Sequence, residues 1–275
     1  SVAEGVGATE MDIRGKFDVD SDFDVINGLP GKVGDVANTF ADLTDGPNDP
    51  ATYILDEVLG SHPSFIDGIV NDVILEKAPG VVTDLLELGS AFGQVSRQFG
   101  IVSTMDIKGD SIESNTMVAI HTTEAFSFEL DGDTHIFTMA ELGVDKEIIE
   151  NVTVGYDKET GRVEFAQHTV PVHYGGFLAL ALEEVIIPKI DPTASTLAEL
   201  LSNKIDCEAF GISTAANLGL LSANFYEGAC EVAIEGVASI VMEELRDIDE
   251  HAPVNMLITG TTTVKDPSGD GLADT

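Results

Sequence analysis

Apolar and polar residues alternate along residues 11–25 of the chain. The apolar odd-numbered residues are Met11, Ile13, Phe17, Val19, Phe23 and Val25, and the even-numbered residues include Asp18, Asp20, Asp22 and Asp24. Successive side chains of a strand point to opposite faces, so the alternation predicts a long strand with one buried and one solvated face. The four aspartates would fan along such a strand without converging, and we interpret them as a solvated face and not as a cation site.

A helical region is predicted after Pro30. Breaks rich in Gly and Pro, at residues 45–50 and 62–63, separate candidate helices at residues 33–43, 51–59, 64–77 and 80–98. In the last of these segments apolar residues recur at spacings of three and four, at Val81, Leu85, Leu88, Phe92 and Val95. Such spacing predicts one apolar stripe of an amphipathic helix.

Between residues 100 and 172 apolar and polar residues again alternate with a period of two. Strands are predicted around Met105 and Ile107, around Met117 and Ala119, and around Phe126, Phe128 and Leu130. Turn residues Asp131 and Gly132 predict one hairpin, and residues 157–161 predict a second hairpin that joins the strand of Val154 to the strand of Val163. Consecutive hairpins predict an antiparallel meander.

Helices are predicted again after His173. Residues 177–187 are apolar on nearly every face of a helix, which predicts that they are enclosed by the chain's own sheet or by a bound molecule. Residues 196–199 and 224–227 have the capping-box spacing. The second box is predicted to begin a long helix with one apolar face, at Cys230, Ile234, Val237, Val241, Leu245 and Ile248.

A final strand is predicted at residues 256–264. The order is strand, helices, meander, helices, strand, and such segregated runs favour an α+β fold in which an antiparallel β-meander packs with two helical segments. We expect residues 1–265 to form one domain, with a sheet able to curve around an apolar interior, and residues 266–275 to form a tail. That loose layout is similar to the layout of tubular lipid-binding proteins.

The charge balance is strongly acidic. The chain has 13 Lys and Arg residues against 49 Asp and Glu residues, for a formal net charge of −36, and 43% of its residues are hydrophobic. The hydrophobic content is typical of a folded core, so we expect the acids to cover its outside. A field of this sign repels the phosphates of nucleic acids and of anionic membranes. It suits a cation, a basic partner or the salt of a halophilic or marine environment.

Two cysteines, Cys207 and Cys230, lie 23 positions apart. Neither has a second thiol or a histidine at metal-ligand spacing, so we predict a disulfide, with two buried free thiols as the alternative. The chain begins at Ser1 without a charged and apolar leader, and we expect that any signal peptide has been removed. The apolar run at residues 177–187 is too short for a membrane span. We expect a secreted or cell-surface protein.

Local catalytic motifs are absent from the sequence. Six histidines are present, at His62, His121, His135, His168, His173 and His251, and none belongs to a metalloprotease or Cys-His pattern. His168 and His173 are five residues apart on an extended segment, where they point to opposite faces. We therefore expect satisfied or surface imidazoles, and a protein that is not an enzyme.

The last ten residues form a calcium-loop pattern. Oxygen donors stand at loop positions 1, 3, 5 and 9, with Gly271 at position 6 and a backbone carbonyl at position 7; the predicted ligands are Asp266, Ser268, Asp270, Leu272 and Asp274. The loop stops before the position at which a bidentate Glu would complete it. The loop is either cut by processing or completed by a carboxylate of another chain, and we expect an isolated molecule to bind Ca²⁺ weakly.

Two resemblances follow from these motifs. The loop at residues 266–274 resembles the calcium loops of thrombospondin type-3 and dockerin modules, which implies metal-dependent folding or docking. The whole chain, with its acidic calcium-like tail and the segment at residues 226–231, resembles uncharacterised secreted surface proteins of marine and predatory bacteria, which implies an extracellular location. The sequence therefore favours a secreted binding protein for an apolar or lipid-like ligand. The alternative is a calcium-stabilised surface protein that assembles with copies of itself.

Overall fold

The structure, a computed structural model, describes residues 12–23, 87–95, 98–109, 116–157, 160–218, 221–251 and 254–264. Its strands are β1 (Gly15–Phe23), β2 (Phe99–Lys108), β3 (Thr116–Leu130), β4 (Asp133–Thr138), β5 (Ile148–Asp157), β6 (Arg162–Val172) and β7 (Val254–Thr263). Its helices are α1 (residues 87–95), α2 (Tyr174–Ala181), a π-helical segment (Leu182–Ile186), α3 (Ile187–Ile190), α4 (Leu197–Lys204), α5 (Cys207–Leu218) and α6 (Ala223–His251).

All seven strands belong to one antiparallel sheet that curls into a half-barrel. The order across the sheet is β1-β2-β3-β5-β6-β7, and β4 pairs with the second half of β3. The α+β class and the antiparallel meander predicted from the sequence are confirmed. Side chains of β1 alternate between half-buried and exposed, as the pattern of residues 11–25 predicts for the part that is described.

Both predicted hairpin turns are present. Asp131 and Gly132 join β3 to β4 with φ angles of 55° and 90°, the left-handed pair that matches the twist of two-residue hairpins. Between β5 and β6 the Gly161 N–H donates to the Asp157 carbonyl at 2.8 Å, and Gly161 has a φ of 70°. Glycine tolerates this backbone conformation because it has no Cβ.

The strand β3 is longer than the sequence pattern suggests. The pattern predicts two short strands, one with odd-numbered apolar residues and one with even-numbered apolar residues, whereas residues 116–130 form a single strand. A register shift against β2, where Ala125 faces Val102 and Thr123 faces Ser103, places one extra residue at Glu124. This bulge reverses the parity, so Met117 and Phe126 lie on the same buried face.

The apolar run at residues 177–187 is buried within the protein's own core. It forms α2, the π-helical segment and the start of α3, and the side chains of Phe177, Leu182 and Ile186 are inaccessible to solvent. The ring of Phe177 lies edge-on to Phe99 on β2, with centroids 5.0 Å apart, and to Phe128 on β3 at 5.6 Å. Each fully buried side chain of this size contributes about 1.5–3 kcal/mol to folding. The sheet and α6 therefore enclose this helix.

Two glycines fix the contact between α2 and α6. A Cβ on Gly175 would overlap the backbone carbonyl of Leu245 and would lie 2.9 Å from the Cβ of Ile248. The N–H groups of Gly175 and Gly176 donate to the carboxylate of Asp249 at 2.9 Å and 2.8 Å. An acidic side chain of α6 thus caps the N-terminus of α2, where helices leave N–H groups without intrahelical partners.

The predicted disulfide is confirmed. Cys207, the first residue of α5, is bonded to Cys230 in α6 and ties the two helices into a hairpin. The predicted cap at Thr196 is also present, since its side chain accepts from the Glu199 N–H. The cap predicted at residues 224–227 is wrong, because α6 begins at Ala223 and the Ser222 hydroxyl accepts the capping N–H.

Other predicted features lie outside the described residues. These are the helices at residues 33–43, 51–59 and 64–77 and the tail at residues 266–275. Of the stripe predicted at residues 80–98, Leu88, Phe92 and Val95 are described, and all three are buried in the core beside the half-barrel. Among the described helices, none combines the length and the apolar character that a membrane crossing requires.

Candidate functional site

On the buried face of the sheet, a row of polar residues separates two apolar clusters. We call this row, which contains Ser103, His121, Thr123 and His168, the polar level. One cluster joins the strands to α2 and α6, and the other consists mainly of strand residues such as Met105, Ala119 and Val154. Along β2 the buried residues change from Ile101 to Ser103 and back to Met105. Along β3, β5 and β6 the same level holds His121, Thr123, Ile149 and His168, with the two clusters on either side of it.

Two histidines meet at this level. The Nδ1 atom of His121 lies 2.8 Å from the Nε2 atom of His168, and the two rings stand nearly perpendicular, with centroids 5.0 Å apart. His121 is 2% exposed, whereas His168 is half-buried. The Nδ1 atom of His168 lies 2.9 Å from the Ala166 carbonyl oxygen. These contacts form a chain from the backbone of β6 to the interior of β3.

The carbonyl at the end of this chain assigns the protons of both rings. A carbonyl oxygen only accepts, so the Nδ1 atom of His168 carries a proton, and in the neutral ring Nε2 is then an acceptor. The hydrogen bond between the rings therefore needs a proton on Nδ1 of His121. Neutral His121 is left with a bare lone pair on Nε2, which is buried and has no partner among the described residues.

The hydroxyl of Thr123 is the second buried polar group without a partner in the described part of the chain. Thr123 is 0% exposed and stands two residues from His121 on the same face of β3. Side chains at this spacing are neighbours along a strand, about 6–7 Å apart at their Cα atoms. Buried polar groups in native proteins are nearly always hydrogen-bonded, so this pair indicates a site for a polar atom that the described residues do not supply.

Burial controls the charge of His121. Removal from water, and secondarily the neighbouring His168, lowers the pKa of His121 to about 4. The ring is therefore neutral at physiological pH, as the proton assignment above requires. A neutral imidazole held in one tautomer acts as a hydrogen-bond acceptor at Nε2.

Three β-bulges surround the histidine pair. The β3–β5 register shifts between Ala119 and His121, where Asn151 has a left-handed φ of 61°, and the β6–β7 register shifts just before His168. The third is the bulge at Glu124. An extra residue bends a strand and redirects its side chains, and bulges are frequent beside functional sites. Here they bring side chains of β3 and β6, which are not adjacent strands, into contact on the buried side of β5.

The sheet divides next to this pair. In the described chain the β5–β6 ladder joins residues 154–157 to residues 162–165, after which β5 continues beside β3 and β6 continues beside β7. At the far end of the division the Nε2 atom of His173 lies 3.2 Å from a carboxylate oxygen of Glu147. The His121–His168 contact spans the region between these two ends. The polar level is thus next to a break in backbone pairing.

The candidate residues predicted from the sequence have different outcomes. His168 contacts His121, and His173 contacts Glu147. His121 departs from the expectation of satisfied or surface imidazoles, because its buried Nε2 has no partner among the described residues. A signal for it was present, because Met117, Ala119, His121 and Thr123 share the odd-numbered face of β3. The predicted calcium ligands, Asp266, Ser268, Asp270, Leu272 and Asp274, lie outside the described residues. Within those residues no three metal-ligating side chains converge.

Similarity to known proteins does not identify the site. No family model, curated protein or solved structure matches the chain. The chemistry of the site therefore rests on its own geometry, which combines a fixed acceptor, a hydroxyl and apolar surroundings.

Proposed function

We propose that this chain is a secreted, non-enzymatic binding protein for an apolar or lipid-like small molecule. The observation that carries the proposal is a pair of polar groups, His121 Nε2 and Thr123 Oγ1, which are buried between two apolar clusters and have no partner among the described residues. Ligand sites are mostly apolar and contain a few placed polar groups that orient the ligand. The β5–β6 ladder ends beside these groups, so backbone pairing does not close the sheet there.

The histidine chemistry supports binding over catalysis. A general base works best when its pKa lies near the operating pH. The pKa of His121 is lowered to about 4, so the ring is a weak base at neutral pH. Its fixed hydrogen bond to His168 suits recognition, since it orients one acceptor without giving it charge.

The disulfide and the acidic composition support the proposed location. Structural disulfides persist in oxidising compartments, outside the cytoplasm. The formal charge of −36 favours partners other than nucleic acids and anionic membrane surfaces. Calcium-stabilised assembly with further copies of the chain stays a prediction from the sequence, because its loop lies beyond Val264 and outside the described residues.

Two measurements test the proposal. Native mass spectrometry before and after organic extraction should show a bound apolar mass, and a neutral environment-sensitive dye should bind the extracted protein. We expect Ile149→Trp, at a half-buried position packed against both clusters, to weaken dye binding at least about tenfold. The matched control is Ile148→Trp, because that side chain is 59% exposed. Absence of both a bound mass and dye binding would refute the proposal.

A further inference from the structure

The ligand's polar group can be specified further, and this step rests on the proposed function. We infer that the polar level takes a neutral hydroxyl group, which donates to Nε2 of His121 and accepts from the hydroxyl of Thr123. The proposed ligand class is therefore an apolar molecule that carries an alcohol, such as a fatty alcohol or a hydroxylated ring system.

The acceptor at His121 selects a donor. The Ala166 carbonyl fixes the proton of His168, and His168 in turn fixes the proton of His121 on Nδ1. Nε2 then offers only a lone pair, and a ligand carbonyl or ether placed there would leave it unsatisfied. A site built to bond a hydroxyl strongly rejects an analogue that lacks it, because the buried group of the protein stays unpaired.

The hydroxyl of Thr123 selects an acceptor on the same ligand group. Thr123 and His121 are two residues apart on one face of β3, and both are buried. One ligand oxygen that both donates and accepts can serve the two side chains. Hydroxyl groups have one donor and two acceptor lone pairs, which meets both requirements.

Charged ligand groups fit this level poorly. A carboxylate at Nε2 would require the imidazolium form of His121, which burial disfavours. A primary ammonium could donate to Nε2, but neither His168 nor Thr123, the described polar neighbours of His121, offers the negative charge that a buried cation requires. Metal cations prefer several converging ligands, and the described residues bring no three together.

Competition between matched probes tests the ligand class. Four compounds are tested as competitors of a neutral apolar dye bound to the extracted chain. They are lauryl alcohol, the methyl ketone of the same chain length, dodecane and laurate. We expect the alcohol to bind at least about tenfold more tightly than the ketone, a difference of about 1.4 kcal/mol in binding free energy. If the dye binds the chain but the alcohol and the ketone displace it with equal affinity, the inference is overturned and the proposed function stands. Absence of dye binding together with absence of a bound apolar mass refutes the proposed function itself.

Variants of the chain test whether the preference for the alcohol comes from the proposed hydrogen bonds to His121 and Thr123 or from packing. Thr123→Val keeps the side-chain shape and should remove most of the preference for the alcohol, whereas Thr122→Val on the opposite face of β3 should keep it. His168→Leu should reduce the preference in a different way. It frees His121 to place its proton on Nε2, so binding of the ketone should rise while binding of the alcohol falls.

A direct measurement of the proton position makes the inference independent of ligand binding. Nitrogen-15 NMR of the imidazole rings distinguishes the two neutral tautomers. We expect His121 to carry its proton on Nδ1 in the native chain and to lose this preference in His168→Leu. A native His121 protonated on Nε2 overturns the inference. If His121 shows the expected tautomer but the chain does not prefer the alcohol, the polar level holds only a bound water. That result overturns the inference as well.

Discussion

We expect acid to lower the stability of the fold because His121 is buried as a neutral imidazole. Its pKa is lowered to about 4 in the folded protein, whereas an exposed histidine in the unfolded chain titrates near about 6.5. The unfolded state therefore binds the proton more readily, and the stabilising effect is complete above about pH 6.5 and is lost as the pH falls toward 4. Between about pH 7.5 and about pH 4.5 a single site of this kind removes about 2.5 kcal/mol from the free energy of unfolding.

The measurement compares the native chain with His121→Gln. Acidification also neutralises carboxylates in a chain of formal charge −36, which relieves repulsion and changes the raw stability in the opposite direction. Chemical unfolding curves at both pH values give the free energy of unfolding for each protein, and the difference between the two proteins removes this shared background. We expect the native chain to lose about 2.5 kcal/mol more than His121→Gln on acidification.

The control variant is His135→Gln. It also removes one imidazole, from β4, where the ring stacks on Phe128 with centroids 4.9 Å apart. This variant should keep the acid dependence of the native chain, because His121 is unchanged. If His121→Gln and the native chain lose the same free energy on acidification, the proposed burial of a neutral imidazole is wrong.

Four further predictions address the fold and the tail. Gly175→Ala should lower the free energy of unfolding by at least about 2 kcal/mol, because the added Cβ overlaps the backbone of α6. The control Gly236→Ala has no described atom within 4 Å of the added Cβ and should raise the free energy of unfolding by about 0.5–1 kcal/mol. Equal effects of the two variants in urea unfolding would contradict the contact between α2 and α6. Alkylation without reductant should label neither Cys207 nor Cys230, and reduction should cost about 3 kcal/mol; full labelling of the native chain would contradict the disulfide. Molar sodium chloride should raise the melting temperature, since salt screens repulsion between acids, and an unchanged or lower value would remove that argument. Calcium titration should show weak binding that strengthens with protein concentration and is lost in Asp270→Ala; identical curves at two concentrations and for the variant would rule out assembly through the loop.

The sheet was predictable where local patterns determine it. Alternation along β1 and turn residues such as Asp131 and Gly132 act over a few positions, and the structure confirms both. The buried helix at residues 177–187 was predictable because no face of it could remain in water. The disulfide could be predicted because two cysteines without ligand-like neighbours leave few alternatives.

The histidine pair was not predictable from local patterns. His121 and His168 are 47 positions apart, on strands that are not neighbours in the sheet. Their contact depends on bulges, which shift the parity of a strand by one residue and leave only a weak trace in the sequence. The single trace was a polar pair, His121 and Thr123, at positions whose neighbours on the same face are apolar.

The strand order has a consequence for the time course of folding. The central meander joins neighbouring strands through short turns, but β1 and β7 at the two edges pair with partners far along the chain. Ser103 and Val19 are 84 residues apart, and Thr259 and Phe165 are 94 residues apart. Contacts between distant residues form late because closing a long loop costs entropy before it brings any gain. During synthesis the outer edge of β6 therefore stays uncovered until β7 has left the ribosome. An uncovered edge offers unpaired backbone groups, so this edge is where a chaperone or a second nascent chain would bind.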